Sequence, residues 1–293
     1  MITLSLLIFT PYLFTKVNAT WIYRGEMVLE DNLLLVEKKN NVCTLVLNRP
    51  GKQNSLSPEL IDRLLQILEA LSIDHDVRAV VIRGAGDKAF CAGYDIKSLP
   101  TRGGVDVKEA LKTVSPVESL FQSILNFPFP AIAMINGVAF GAGCELAMCC
   151  DICIGADDIR MGMPPAKLGL VYPWTGLQRF IQTIGLKSTR ELFFSGRFYE
   201  GIRLKEFGLV DYLVPRKELE KVTYSLAKEV AGNAPLALKG TKRIINLLLQ
   251  SNRIDHEIQI EAESIIEAAF NSQDLKEGQA AFLEKRKPKF KGE

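Results

Sequence analysis

Short apolar runs alternate with polar or glycine-containing turns over most of the chain, and this pattern predicts strands. Residues 33–37 and 42–47 are β-prone runs separated by the polar residues 38–41, which is typical of a hairpin. Residues 79–82 and 131–135 are continuous apolar runs and read as buried strands. Shorter strands are expected around residues 152–154 and 160–162.

Helical periodicity separates these strands. Apolar residues recur at helical spacing after Ser57, which is suited to be an N-cap, and Pro58 falls in the first turn. The apolar stripe of this helix consists of Leu60, Leu64, Leu68 and Leu71. A second helix is predicted at about 108–125 and a third at about 143–150. Strands that alternate with helices predict a mixed α/β fold.

From about residue 235 the pattern becomes entirely helical. One predicted helical face is formed by Ile254, Ile258, Ala262, Ile265 and Ala269. An amphipathic helix gains most of its stability from packing of its apolar face. We therefore expect this face to pack on the core or on another subunit. A strand-rich body with a helical tail is suited to an oligomer.

Composition limits the classes of partner. The chain has 293 residues, of which 47% are hydrophobic, enough for one large domain or one domain with an appendage. The 36 basic and 34 acidic residues leave a net charge of +2, which gives no electrostatic reason to expect nucleic acid or a membrane as partner.

Cysteine and histidine usage argues against a metal site. Four of the six cysteines fall within residues 144–153, an apolar stretch in which they read as small buried hydrophobes. Cys150 and Cys153 form a CxxC pair, but no second pair or histidine cluster stands nearby to complete a zinc site. The only histidines are His75 and His256, so a Ser-His triad is also poorly supported.

The first residues are apolar but fit no targeting signal well. The run 1–14 is interrupted by Pro11, and a membrane-spanning helix needs about 20 apolar residues. It also lacks the preceding positive charge of a secretory signal. We favour an upstream start codon, with Met27 as the true start, over a weak signal. The predicted organisation is an extension at 1–26, a core at 27–233 and a helical module at 234–293.

Two glycine-rich turns, at residues 90–97 and 136–147, follow predicted strands and carry candidate chemistry. Glycine lets a backbone turn sharply and present its N–H groups. Two such turns that face one point would form an oxyanion hole. Spacing alone leaves two alternatives open, ordinary structural turns and a dinucleotide fingerprint, although Leu146 occupies the third small position of that fingerprint.

Five motifs in one order carry a resemblance to a known family. They are residues 48–50 with 54–56, residues 90–97, residues 137–147, residues 207–210 and residues 282–286. In these motifs the chain resembles the enoyl-CoA hydratase/isomerase, or crotonase, family from about residue 33 to the end.

The resemblance implies a spiral of strand–strand–helix units with a C-terminal helical trimerisation module, assembled as a trimer or as a hexamer of two trimers. It also implies an acyl-CoA substrate, no cofactor beyond its coenzyme A moiety and a cytoplasmic location. The enolate oxygen of the thioester would be bound by the backbone N–H groups of Tyr94 and Ala142. The family usually has glycine where Ala142 stands, and alanine retains the N–H group.

Further site residues follow from the same resemblance. The coenzyme A moiety would be bound by Asn54, Ser55, Ala92, Asp95, Ile96, Phe282 and Lys285. Phe282 and Lys285 would reach its nucleotide end, across a subunit boundary, although Lys285 could equally be a solvated tail residue.

The acid–base residues depart from the hydratase pattern. Glu145 matches the first of the two glutamates that hydratases use, or else it only complements a helix start. The second glutamate is replaced by Pro165. Tyr172 instead resembles the tyrosine of the branch that decarboxylates methylmalonyl-CoA. It would orient the carboxylate or deliver a proton, or it is a core aromatic residue.

Three functional hypotheses result. The first is decarboxylation of a short carboxyacyl-CoA, and the second is hydration or isomerisation of an enoyl-CoA by Glu145 alone. The third, of another class, is a non-catalytic CoA-binding scaffold.

Overall fold

The computed structural model describes residues 20–22, 26–30, 32–95, 107–250 and 256–291, with backbone alone for 20–22, 26–30, 107–115, 250 and 256–259. The strands are β1 Thr20–Ile22, β2 Glu26–Glu30, β3 Leu34–Lys39, β4 Val42–Leu47, β5 Ala79–Gly84, β6 Ala89–Cys91, β7 Ala131–Ile135, β8 Val138–Phe140, β9 Ile152–Ala156, β10 Arg160–Gly162, β11 Phe198–Glu200 and β12 Tyr212–Val214. The helices are α1 Pro58–Ser72, α2 Val107–Leu125, α3 Ala142–Met148, α4 Trp174–Ser195, α5 Ile202–Glu206, α6 Leu219–Ala231, α7 Pro235–Gln250, α8 His256–Asn271 and α9 Gln273–Glu284.

Two sheets organise the described residues. The larger has the strand order β1-β2-β3-β4-β5-β7-β9-β12 and the smaller has the order β11-β10-β8-β6. The strands from β4 to β12 in the larger sheet pair in parallel, as do β6, β8 and β10 in the smaller. The predicted mixed α/β fold is confirmed.

The local predictions for the first helix and hairpin are also confirmed. Strands β3 and β4 pair antiparallel, with Leu34 opposite Leu47. Ser57 caps α1 because its Oγ accepts a hydrogen bond from the Leu60 N–H at 3.3 Å. The four leucines of the predicted stripe are all buried against the core.

The strands that were not predicted include β6 and β8, which lead into the two glycine-rich turns. Strand β6 overlaps the start of the predicted turn at 90–97, and β8 lies inside the predicted turn at 136–147. They are only three residues long and pair with each other in parallel, with Ala89 opposite Val138. Such a pairing joins distant segments, so no local periodicity could reveal it.

The N-terminal part of the sheet begins earlier than predicted. Thr20 pairs with Val28 in the β1–β2 ladder, so ordered pairing starts within the expected extension. Residues 1–19 lie outside the described residues.

The C-terminal helices pack on the core but leave apolar side chains outside. Helix α7 is attached through Lys242, whose Nζ donates to Asp151 Oδ2 at 2.6 Å and to Phe129 O at 3.2 Å. Helix α9 packs against a short 3-10 helix, Pro165–Leu168.

The predicted apolar face of α8 is only partly described. Ile254 lies outside the described residues, and so does the side chain of Ile258. Ile265 is 53% exposed, whereas the neighbouring Ile266 is buried. Ile266 therefore faces the core at this point, and the exposure of Ile265 agrees with the other expected arrangement, packing on another subunit. Among the described residues no helix is both long and apolar enough to cross a bilayer.

Candidate active site

The two glycine-rich turns meet at one edge of the smaller sheet. Strands β6 and β8 run in parallel, and each leads at its carboxyl end into one of the turns. A Cβ added to Gly143 would collide with the Cys91 carbonyl oxygen, so only glycine allows α3 to start this close to β6. A Cβ on Gly93 would lie 3.5 Å from the Ala142 nitrogen, so the turns are in direct contact.

The turn after β6 is held in an extended form by Leu56. The Leu56 N–H donates to Gly93 O at 2.8 Å, and the Asp95 N–H donates to Leu56 O at 2.8 Å. Because backbone groups alternate along an extended segment, the N–H of Tyr94 points away from Leu56. The structure brings the turn of Tyr94 beside that of Ala142, as predicted.

Ala142 is the first residue of α3, where a backbone N–H has no partner within the helix. Its side chain is partly buried and packs against the core. The methyl group that replaces the family's usual glycine is therefore accommodated, and the N–H is retained.

Glu145 lies one turn further along α3 and is 2% exposed. Its Oε2 accepts a hydrogen bond from the Tyr172 hydroxyl, and its Oε1 accepts one from Arg179 Nη1. A Cβ on Gly176 would lie 2.8 Å from Glu145 Oε1 and 2.5 Å from Tyr172 Cε1. Glycine at 176 therefore lets α4 approach this cluster, which joins two of the residues predicted to be catalytic.

Arg179 and Glu118 complete the cluster and were not predicted. Arg179 Nη2 donates to Glu118 Oε1 at 2.9 Å, and Thr175 Oγ1 donates to Glu118 Oε2 at 3.2 Å. The guanidinium also lies over the Phe121 ring, 5.4 Å from its centroid. No stripe in the sequence marked Arg179, because its neighbours at helical spacing on α4 are Thr175, Gly176, Gln182 and Thr183.

Burial dominates the electrostatics of the cluster. It raises the pKa of Glu145 from 4.5 to about 7, against the opposing effects of Arg179 and of the hydrogen bond from Tyr172. Burial, together with the negative charge of Glu145, holds the pKa of Tyr172 well above its ordinary value. A carboxyl that titrates near neutrality is suited to exchange protons during a reaction.

The segment that would hold a second carboxylate cannot do so. Pro165 is buried at the start of the 3-10 helix Pro165–Leu168 and has no titratable group. Gly169 follows this helix, and a Cβ there would lie 2.6 Å from Asp274 O of α9.

The residues predicted to bind coenzyme A fall into two places. Asn54 is fully buried, and its amide donates to Ala85 O at 3.0 Å and to Ala89 O at 2.8 Å while its Oδ1 accepts from the Arg49 N–H. Its side chain therefore holds the loop before β6. Arg49 also ties the neighbouring elements together, since it donates to Ser55 O at 2.6 Å and to Asp95 Oδ2 at 3.1 Å.

Ser55, Ala92 and Asp95 lie beside the first turn, whereas Ile96 lies outside the described residues. Phe282 lies near the end of α9 and is 56% exposed. Lys285, the C-cap residue of this helix, is also exposed. Binding of coenzyme A by these residues stays a prediction.

Comparisons with known proteins agree with the motifs. A family profile described as Enoyl-CoA hydratase/isomerase matches residues 37–293. The mitochondrial methylglutaconyl-CoA hydratase of Homo sapiens is 34% identical over 278 residues, covering 92% of this chain and 80% of its own. The short-chain-enoyl-CoA hydratase of Clostridium acetobutylicum is 32% identical over 259 residues, covering 88% of this chain and 97% of its own.

Solved structures give the same picture. A methylmalonyl-CoA decarboxylase complexed with 2S-carboxypropyl CoA superposes with a TM-score of 0.84 at 31% identity, covering 90% of this chain and 100% of the other. An enoyl-CoA hydratase from Bacillus anthracis gives a TM-score of 0.70 at 33% identity, covering 89% of this chain and 100% of the other.

Proposed function

Since this chain belongs to the enoyl-CoA hydratase/isomerase family, we propose that it decarboxylates a short carboxyacyl-CoA such as methylmalonyl-CoA. The observation that carries the proposal is the partner of Glu145. A phenol, Tyr172, faces this carboxyl, and Pro165 stands where hydratases of the family have their second glutamate. The Tyr172 hydroxyl therefore offers a proton next to Glu145, whereas position 165 offers no second carboxylate.

Decarboxylation fits such a site because it needs little acid–base equipment. The bond between the α-carbon and the carboxylate breaks, and its electron pair forms the thioester enolate while CO₂ leaves. The N–H groups of Tyr94 and Ala142 would stabilise the enolate oxygen, as in other oxyanion holes. Tyr172 would then protonate the α-carbon, so that one proton is consumed for each CO₂ released.

Two further observations support the proposal. The superposition on a methylmalonyl-CoA decarboxylase has a TM-score of 0.84, above the 0.70 found with the hydratase of Bacillus anthracis. That decarboxylase was solved in complex with 2S-carboxypropyl CoA, a coenzyme A derivative that carries a carboxyl group.

Hydration of an enoyl-CoA by Glu145 alone is the second candidate. It is favoured by the relatives named as hydratases, at 32% and 34% identity. The pKa of Glu145, about 7, would suit a single residue that first takes a proton from water and then returns one. A non-catalytic scaffold is the third, and retention of Glu145 argues against it.

We also propose that the protein assembles through its C-terminal helices, as a trimer or a hexamer. Several large apolar side chains of α7, α8 and α9 are exposed in the single chain, which favours burial against another subunit. They are Leu236, Ile244, Ile245, Leu247, Leu248, Leu249, Ile260, Ile265, Phe282 and Leu283.

The deciding experiment is mass spectrometry of the purified protein incubated separately with methylmalonyl-CoA and crotonyl-CoA. The proposal expects loss of CO₂ from the first compound and no change in the second. Addition of water to crotonyl-CoA, with methylmalonyl-CoA unchanged, would replace it with the hydratase hypothesis.

Two substitutions test the assigned residues. We expect Tyr172→Phe to lower kcat for decarboxylation by about 10²-fold, because the proton donor is lost. Tyr212→Phe, at a tyrosine that is 48% exposed on β12, is the control and should leave kcat unchanged. If Glu145→Gln has no effect on either methylmalonyl-CoA or crotonyl-CoA, the result favours the hypothesis of a non-catalytic scaffold.

A further inference from the structure

We infer that Arg179 and Glu118 set, by their opposing charges, the direction of the hydrogen bond between Glu145 and Tyr172, and so decide when Tyr172 can give its proton to the substrate. The inference deepens the proposed function and rests on it for the role of Tyr172. Both residues act through Glu145 and are therefore positioning residues.

Hydrogen bonds link four side chains in the order Glu118, Arg179, Glu145 and Tyr172. Arg179 divides its guanidinium between two carboxylates, with Nη1 on Glu145 and Nη2 on Glu118. The side chains of Arg179 and Glu145 are 8% and 3% exposed, whereas that of Glu118 is 34% exposed. The buried middle of this series is therefore Arg179 and Glu145, and its partly exposed ends are Glu118 and Tyr172.

The direction of the last hydrogen bond depends on the charge of Glu145. An ionised Glu145 can only accept, so the Tyr172 hydroxyl donates to it and its proton is directed away from the substrate. A protonated Glu145 can instead donate to the Tyr172 oxygen. The phenolic proton is then free to pass to the α-carbon while the carboxyl proton moves to the phenolic oxygen.

The charges near Glu145 act in opposite senses. Arg179 lowers the pKa of Glu145 because it stabilises the carboxylate, whereas the negative charge of Glu118 raises it. The other titratable groups that face Glu145 among the described residues are Tyr172 and thiols. The thiols are Cys144 on α3 and Cys149 at its C-cap, and burial raises the pKa of both, so they stay neutral.

The test compares two substitutions that should act oppositely on the pH profile of CO₂ release. In the wild type, kcat should fall as pH rises through the pKa of Glu145, about 7. This fall is the alkaline limb of the pH profile. Glu118→Gln leaves Arg179 unopposed and should move the limb to lower pH, by up to about one unit. Arg179→Met should move it to higher pH by about one unit or more.

Matched controls separate charge from folding. Arg179→Lys keeps the positive charge and should restore the limb to near its wild-type position. Arg203→Met and Glu206→Gln alter an ion pair of side chains that are 47% and 53% exposed, and they should not move the limb.

A second readout does not depend on the reaction. The free energy of unfolding is measured as a function of pH for the wild type, Glu118→Gln and Arg179→Met. Each protein is compared with the same protein carrying Glu145→Gln in addition, and the difference gives the contribution of the Glu145 carboxyl. A carboxyl whose pKa is raised by folding contributes stability that is present below about 4.5 and is lost as pH rises through about 7. The upper end of this window should move down in Glu118→Gln and up in Arg179→Met.

Opposite shifts in the stability window support the inference, and shifts that are absent or in the same direction overturn it. Where the wild type releases CO₂, the kinetic limb must move in the same opposite senses, and a fixed limb also overturns it. Absence of CO₂ release by the wild type overturns the proposed function instead, and the stability window still decides whether Arg179 and Glu118 set the charge of Glu145.

Discussion

At the scale of single residues, Ala142 offers a direct test of the oxyanion hole. Proline removes the backbone N–H but is well tolerated at the first position of a helix, which Ala142 occupies in α3. We expect Ala142→Pro to lower kcat by about 10²- to 10³-fold, the usual effect of losing one donor, with little loss of stability. Steady-state kinetics and circular dichroism would measure the two effects.

The control is Ala142→Gly, which keeps the N–H and restores the residue usual in the family. Its kcat should stay close to that of the wild type. If the Ala142→Pro variant folds normally and retains full kcat, this amide does not stabilise the transition state.

The sequence allowed some of the site to be predicted, but only at positions where a motif names the residue. Glu145 and Tyr172 could be found because each falls within a recognisable segment, and the structure places them in contact. Arg179 and Glu118 could not, because their meaning depends on the packing of α2 and α4 beside α3. Only the fold shows that these two charges face the same buried carboxyl.

At the scale of elements, glycines in two helices should respond in opposite ways to the same substitution. Gly176→Ala on α4 would place a Cβ against Tyr172 and Glu145, so we expect a lower kcat and a loss of about 1–3 kcal/mol in the free energy of unfolding. Gly240→Ala on α7 meets nothing within 4 Å and should gain about 0.5–1 kcal/mol from helix propensity.

Urea denaturation would measure both changes. Equal effects of the two alanines would mean that α4 does not approach the cluster as closely as described.

Several of the longer elements were predictable because each has its own periodicity. The buried stripe of α1 and the strand β7 agree with the predicted positions. Strands β6 and β8 escaped because three residues carry no period and their pairing joins segments about 50 residues apart. No element was predicted between β10 and α7, a stretch that contains the 22-residue helix α4 as well as short strands and helices that depend on tertiary contacts.

At the scale of the whole molecule, the exposed apolar surface of α7 predicts the assembly. Leu248 is 65% exposed, and a charge there would be costly to bury between subunits. We expect the wild type to sediment as a trimer or hexamer and Leu248→Glu to sediment as a smaller species, by analytical ultracentrifugation.

Ile73→Glu provides the comparison, because Ile73 is 76% exposed but lies at the C-cap of α1. It should leave the assembly intact. Assembly that persists in Leu248→Glu would place the interface on a different surface.

The buried cysteines make this protein suited to site-specific labelling. All six thiols are free and buried, and burial raises the pKa of Cys43 and of Cys91 to about 12. Maleimides and iodoacetamide react with accessible thiolates, so the folded protein should react slowly without any native cysteine being removed. A single cysteine introduced at an exposed position such as Lys221 would then carry a fluorophore or spin label as the main reactive thiol, and the distances between labels in an oligomer would report its geometry in solution.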